Sequence, residues 1–204
     1  MTHVLAVCTG NICRSPATER LLAARLGARS GITIASAGTH ALEGRPVDPP
    51  VAELLRAAGA DPGSFGARQL TAAQIRTADL VLVMTRRHRS AVAALEPSAV
   101  RRTFLLLELA ELARAVADAG WPAQHGEETA ARLAALPGLV PVHRGRVGLP
   151  DRLEVEDPHR RSITVHARAV AGIAAAVDQL VLALRRPGGW AQVSPDRVIP
   201  PPRT

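Results

Sequence analysis

His3-Val4-Leu5-Ala6-Val7-Cys8-Thr9-Gly10-Asn11-Ile12-Cys13-Arg14-Ser15-Pro16 runs from an apolar segment through a polar turn into the start of a helix. His3 to Val7 has the length and composition of a short buried strand. Ser15 and Pro16 supply an N-cap and a first-turn proline for a helix reaching about Leu26. Between strand and helix, five residues separate Cys8 from Arg14, enough for the backbone to curl round a tetrahedral oxyanion. Successive N–H groups would then point inward, with Arg14 forking onto two oxygens. Gly10 and Asn11 tolerate the left-handed dihedrals that such a curl demands, and the helix beyond presents its positive dipole end. These donors favour an anionic sulfur, so a cysteine at a strand end becomes a nucleophile. A lone cysteine in a tight turn would be a small apolar filler. The combination of Cys, Gly, Asn, Arg, Ser and Pro in a strand-turn-helix frame points to catalysis instead. It is not the ATP-binding loop, since G-x-x-x-x-G-K-[ST] is absent and the chain contains no lysine.

Outward from this segment, strands and helices alternate. Ile32 to Ala35 reads as a second strand broken by Gly38, and Val51 to Ala58 as a helix stopping at Gly59. Thr71-Ala72-Ala73-Gln74 fits a capping box, Leu80 to Met84 is a buried strand, and Arg87 to Leu95 is a helix. Thr103 to Leu106 fits a fourth strand feeding a helix over Glu108 to Ala117, although Leu105 to Leu107 suits that helix equally well. Ile163 to Leu184 is a long amphipathic helix. The pattern predicts a three-layer α/β sandwich: a mostly parallel four-stranded sheet, helices on both faces, and a ligand site at the carboxyl ends of the strands. One domain over residues 1–185 is expected. Within it, residues 119–150, punctuated by Pro122, Pro137, Pro141 and Pro150, read as an insertion with one short helix near Ala130 to Leu136. Residues 186–204 read as an extended tail.

Composition narrows the functional classes. Of 204 residues, 47% are apolar and 21% charged, which suits one sizeable core rather than a disordered chain. Apolar runs such as Val81 to Met84 fall short of the roughly 20 residues of a membrane helix, and the N-terminus lacks a basic segment of the secretory kind. Two cysteines five apart imply no disulfide framework, so a reducing cytoplasm is expected. The net charge is +7, all 25 basic residues being arginine. They are scattered, and with no Tyr and two Phe the stacking platforms of single-strand binders are missing, so a nucleic-acid partner is not expected. No cofactor or metal site is read from the sequence.

CTGNICRSP, with Thr18 and Glu19 following, resembles the N-terminal signature of the low-molecular-weight protein tyrosine phosphatases. Ser36-Ala37-Gly38-Thr39, Gly44-Arg45-Pro46, Ala67-Arg68-Gln69-Leu70, the strand ending at Met84 and Asp157-Pro158 extend the similarity over roughly residues 1–105 and 153–184. The resemblance implies a phosphomonoester hydrolase working through a phosphocysteine. Its substrate would be a phosphorylated protein or a small phosphate ester. Cys8 would be the nucleophile, the amides of Thr9 to Ser15 with Arg14 would hold the phosphoryl oxygens, and Asp157 would be the general acid and base. Asp151 competes for that last role, and Asp-Pro alone is commonly a turn. Ser15 would hydrogen-bond the sulfur, Asn11 and Ser36 would buttress the loop, and Cys13 could pair with Cys8 under oxidation.

This chain departs from the family pattern in the substrate slot, usually lined by bulky aromatics, where it places His40 and His159. It departs again at Gly66, where many relatives have histidine, and at Thr85, where many have aspartate. Ile12 is similar to the tyrosine-type members, whereas phosphoarginine-specific relatives carry threonine there. Two other readings stay open on the same scaffold. Arsenate reductase is one, although no cysteine follows Cys13 to relay electrons. A non-catalytic phosphoprotein-binding module is the other.

Overall fold

The computed structural model describes residues 1–145, 148–149 and 153–187. Four strands, β1 (Thr2–Cys8), β2 (Ile32–Gly38), β3 (Leu80–Val83) and β4 (Thr103–Leu105), form one sheet in the order β2-β1-β3-β4. Every pairing is parallel, so the sheet is wholly rather than mostly so. The central strands are apolar along their whole length because both faces are covered. Side chains alternate between the faces with period two. Val4, Leu80, Leu82 and Phe104 face the larger core. Leu5, Val7, Val81, Val83 and Leu105 face the smaller one.

Against the first face pack α1 (Arg14–Leu26), α2 (Pro49–Ala57), α5 (Leu106–Ala119), α6 (Thr129–Arg144) and α7 (Ile163–Arg185). The second face is covered by α3 (Ala72–Thr77), α4 (Arg86–Leu95) and a short 3₁₀ helix over Pro97–Arg102. Thr71 and Gln74 form the expected capping box of α3. By length and composition α7 could cross a membrane, which the run-length argument missed because arginine and histidine interrupt its apolar residues. Half of its most apolar stretch is buried in the fold, where it packs on α1 and α5.

Three local expectations are corrected. Helix α1 starts at Arg14 with Cys13 at the N-cap position, so Ser15 lies inside the first turn and does not cap it. Its hydroxyl is taken up by the loop instead, and Pro16 still falls where no intrahelical N–H partner is required. Gly10 does not adopt a positive φ; Asn11 alone does, at 53°. The third correction concerns the helix read over Ala130 to Leu136, which runs on through Pro137 and Pro141 to Arg144. Burial of Leu133, Leu136 and Val140 against α5 and α7 holds it continuous where local preference would break it. Asp151 and residues 188–204 of the expected tail lie outside the described residues.

Candidate active site

The turn after β1 is built by its own outward-facing acceptors. The carbonyls of Cys8, Thr9, Gly10 and Ile12 accept backbone N–H groups from Thr39, His40, Leu42 and Asp48 at 2.9–3.0 Å. The loop's carbonyls are thereby committed to the surrounding protein. Among the described residues, no N–H from Gly10 to Cys13 has a protein partner. A ring of unpaired donors at the amino end of a helix is an anion site. Gly38, at the end of β2, permits the close approach: a Cβ there would stand 2.5 Å from the Thr9 carbonyl oxygen.

Asn11 locks the curl. Its Oδ1 accepts the Arg68 N–H at 2.8 Å, which fixes the amide's orientation, and its Nδ2 donates to both Ser15 and Ser36 at 2.9 Å. Ser36 in turn donates to Glu19 at 2.5 Å. The Ser15 hydroxyl accepts from Asn11, lies 3.0 Å from the Cys8 sulfur and has the Ala37 carbonyl at 3.4 Å as a further acceptor, so its hydrogen can serve the sulfur whenever that atom is anionic. The buttress therefore runs from α1 and β2 to the nucleophile in four side chains, all of them buried.

A second support comes from α4. His88 meets Thr9 through Nε2 at 2.9 Å and Thr85 through Nδ1 at 3.0 Å. Burial, then the positive charge of Arg14, lowers its pKa to about 4, so the ring is a neutral hydrogen-bonding strut. Thr85 also caps α4 by accepting the His88 N–H. Loop stiffness is therefore supplied through Thr85 and His88 in this chain, without a histidine at Gly66. Sequence reading missed His88 because a histidine one turn into a helix looks like a surface residue.

Arg14 is 4% exposed. Its Nη1 donates to the Val155 carbonyl at 3.3 Å, Nη2 lies 2.6 Å from an Asp157 carboxylate oxygen, and Nε has no partner among the described residues. Asp157 is held over the loop by its own chain. The Val155 N–H donates to the Met84 carbonyl at the end of β3, and the Asp157 carboxylate accepts the His159 N–H at 3.1 Å. Beneath it, Cys8, Thr9, Gly10, Ile12, Cys13, Arg14, His40, Asp157 and His159 line a cavity of about 150 Å³ together with Leu42. Leu42 carried no chemical signal in the sequence. Asn11, Ser15 and Ser36 do not line this cavity; their side chains bond to one another behind the loop.

Cys13 is buried at the edge of the same cavity, 4% exposed. Burial, then the negative charge of Asp48, pushes its thiol well above the ordinary range, so it stays protonated. Both cysteines are free thiols.

Comparison with known proteins agrees with this geometry. The family model for low molecular weight phosphotyrosine protein phosphatases matches residues 3–136. The low molecular weight protein-tyrosine-phosphatase Etp of Escherichia coli K12 is 41% identical over 102 residues, which cover 50% of this chain and 67% of Etp. Among solved structures, the Erwinia amylovora tyrosine phosphatase AmsI superposes with a TM-score of 0.65 at 29% identity, over 91% of this chain and 95% of AmsI. Vibrio vulnificus Wzb in complex with benzylphosphonate gives 0.63 at 27% identity, over 88% and 97% of the two chains. A buried arginine, an amide-lined turn behind a strand-end cysteine and a matching family model over about two thirds of the sequence lead to one assignment: this chain belongs to the low molecular weight phosphotyrosine protein phosphatases, a family of cysteine-based phosphatases.

Proposed function

We propose that the chain hydrolyses aryl phosphates of the phosphotyrosine type through a phosphocysteine on Cys8. The observation that carries this reading is the Cys8 sulfur 3.0 Å from Ser15, at the base of a turn whose amides and buried Arg14 present donors to one cavity. The Cys8 thiolate attacks phosphorus in line, a sulfur–phosphorus bond forms, and the ester oxygen departs with a proton from Asp157. The loop amides and Arg14 hold the three equatorial oxygens throughout. Asp157 rests on Arg14 at 2.6 Å, so an entering phosphate takes over the guanidinium and releases the carboxyl towards the leaving oxygen. In the second step Asp157 takes a proton from water, which attacks phosphorus. The Ser15 hydroxyl donates to sulfur as the thiolate leaves.

Ile12 and Leu42 give the cavity apolar walls and His40 and His159 supply flat rings at its rim, a lining suited to an aromatic ester. Etp and AmsI, both described as tyrosine phosphatases, support the same substrate class. The natural substrate would be a phosphorylated protein or a small phosphate ester. Several surface arginines are tied to acids, as in Arg25–Asp178, Arg76–Glu96 and Arg168–Glu156, and no nucleic-acid partner is proposed. Work in the cytoplasm, away from any membrane, would suit two thiols that must stay reduced. An assay across phosphotyrosine, phosphoarginine, phosphoserine and sugar phosphates should rank phosphotyrosine first. Preference for phosphoarginine would overturn the substrate assignment while leaving the cysteine chemistry intact.

A further inference from the structure

At the edge of the anion loop, Cys13, Asp48 and His166 each bring one ligand atom together, all three atoms lying within 4.8 Å of one another. They come from three elements: the turn after β1, the residue preceding α2, and the first turn of α7. Asp48 stands at the N-cap position of α2, yet its carboxylate makes no cap hydrogen bond. Pro50 removes one of the two donors, those of the second and third helical residues, that it would serve, and the carboxylate faces Cys13 and His166 instead.

His166 is 4% exposed and its tautomer is fixed by its surroundings. Nδ1 lies 3.0 Å from the Ser162 carbonyl, which can only accept, so Nδ1 carries a hydrogen and, in the neutral ring that binds metals, Nε2 presents the lone pair. That buried Nε2 has no hydrogen-bond partner among the described residues. The nearest Asp48 oxygen is 3.9 Å away, too far for the 2.7–2.9 Å of a charge-assisted hydrogen bond. With the ring neutral, two lone-pair atoms face each other across a buried gap. Ligands on a tetrahedral zinc ion stand about 3.4 Å apart, given bond lengths near 2.1 Å for nitrogen and oxygen, so a small inward movement closes the gap around a cation.

We propose that Cys13, Asp48 and His166 form a binding site for a divalent transition metal of the zinc class. Thiolate, carboxylate and imidazole suit a borderline-soft ion. One thiolate and one carboxylate neutralise its two charges, and binding releases the Cys13 thiol proton to solvent. The Ser162 carbonyl is the outer partner that metal-bound histidines require. Three protein ligands leave a fourth position. His159, whose Nδ1 is buried without a hydrogen bond and 3.8 Å from the second Asp48 oxygen, stands beside it. Asp48 and His159 also line a neighbouring cavity of about 370 Å³. The site adjoins the catalytic loop but uses neither Cys8 nor Arg14.

The test uses the full chain, stripped of metal and titrated with Co²⁺ as a spectroscopic stand-in. One equivalent should bind at micromolar concentration, with strong visible bands of four-coordinate cobalt and a near-ultraviolet thiolate-to-cobalt charge-transfer band, both displaced by Zn²⁺. C8S should keep both signals and C13S should lose the charge-transfer band. H166F and D48N should weaken binding about 30-fold or more, with circular dichroism confirming the fold of each variant. Two results overturn the site: no uptake at micromolar Co²⁺, or a charge-transfer band lost in C8S and kept in H166F, which would place the metal on the nucleophile.

Discussion

The turn from Cys8 to Ser15 sits at the carboxyl edge of the sheet, the segment from Gly120 to Gly145 starts by its amino edge and runs along one face, and the two obey different physics. At the carboxyl edge, almost every residue of the turn is set by a hydrogen bond that chemistry needs: Asn11 to Ser15 and Ser36, Ser15 to the Cys8 sulfur, Thr9 to His88. At the amino edge, α6 begins beside Thr2, whose hydroxyl donates to the Ala130 carbonyl. There the segment is held by packing and by a few long-range bonds. Trp121 donates to the Ala183 carbonyl, and the buried Arg132 reaches the carbonyls of Gly126, Leu184 and Arg186 while lying over the Trp121 ring. One region is specified for reaction, the other for stability.

That division is open to direct attack. The largest effect is expected from Cys8→Ser, which should keep the fold, since Cys8 is buried and serine is close in size, and lower turnover of an aryl phosphate about 10⁴-fold or more. A loss below tenfold would remove the nucleophile assignment. Asp157→Ala comes next. It should cost about 10²- to 10³-fold on phosphotyrosine, whose leaving group needs a proton, and much less on an activated nitrophenyl ester. Equal losses on both substrates would move the acid elsewhere.

Arg132→Met probes the other edge. It strands three carbonyls and should destabilise the chain by about 3 kcal/mol in urea unfolding, with kcat/KM within about twofold of wild type because distant sites act independently. A large kinetic loss would show that the two edges are coupled.

The smallest effect concerns pH. His88 titrates near 4 when folded, below its ordinary 6.5, so its contribution to stability is complete above 6.5 and is lost as pH falls through 4. Between pH 7 and pH 5 this amounts to about 2 kcal/mol. His88→Gln should flatten that part of the stability profile. An unchanged profile would mean that His88 is not the titrating strut.

The same contrast explains what could be read from the sequence. The anion loop was legible because its residue types and spacing are dictated by an oxyanion, and the four strands because a covered parallel sheet demands continuous apolar runs such as Leu80 to Val83. Helix α6 was not, since Pro137 and Pro141 signal breaks locally and only the burial of Leu133, Leu136 and Val140 overrides them. Ser15 was misplaced as a cap because a serine before proline looks the same whether its hydroxyl serves a helix or a sulfur. His88, Asp48 and His166 are isolated polar residues along the chain. Their meaning arises only where folding brings α4, α2 and α7 against the loop.

The most direct measurement is a rapid-quench turnover with an aryl phosphate, followed by mass mapping of the quenched protein. The account predicts a burst of the released phenol equal to the enzyme present, and one phosphoryl group on the peptide carrying Cys8. A linear release with no burst, and a protein free of phosphate in the Asp157→Ala variant as in wild type, would show that water attacks phosphorus directly and that Cys8 forms no covalent intermediate.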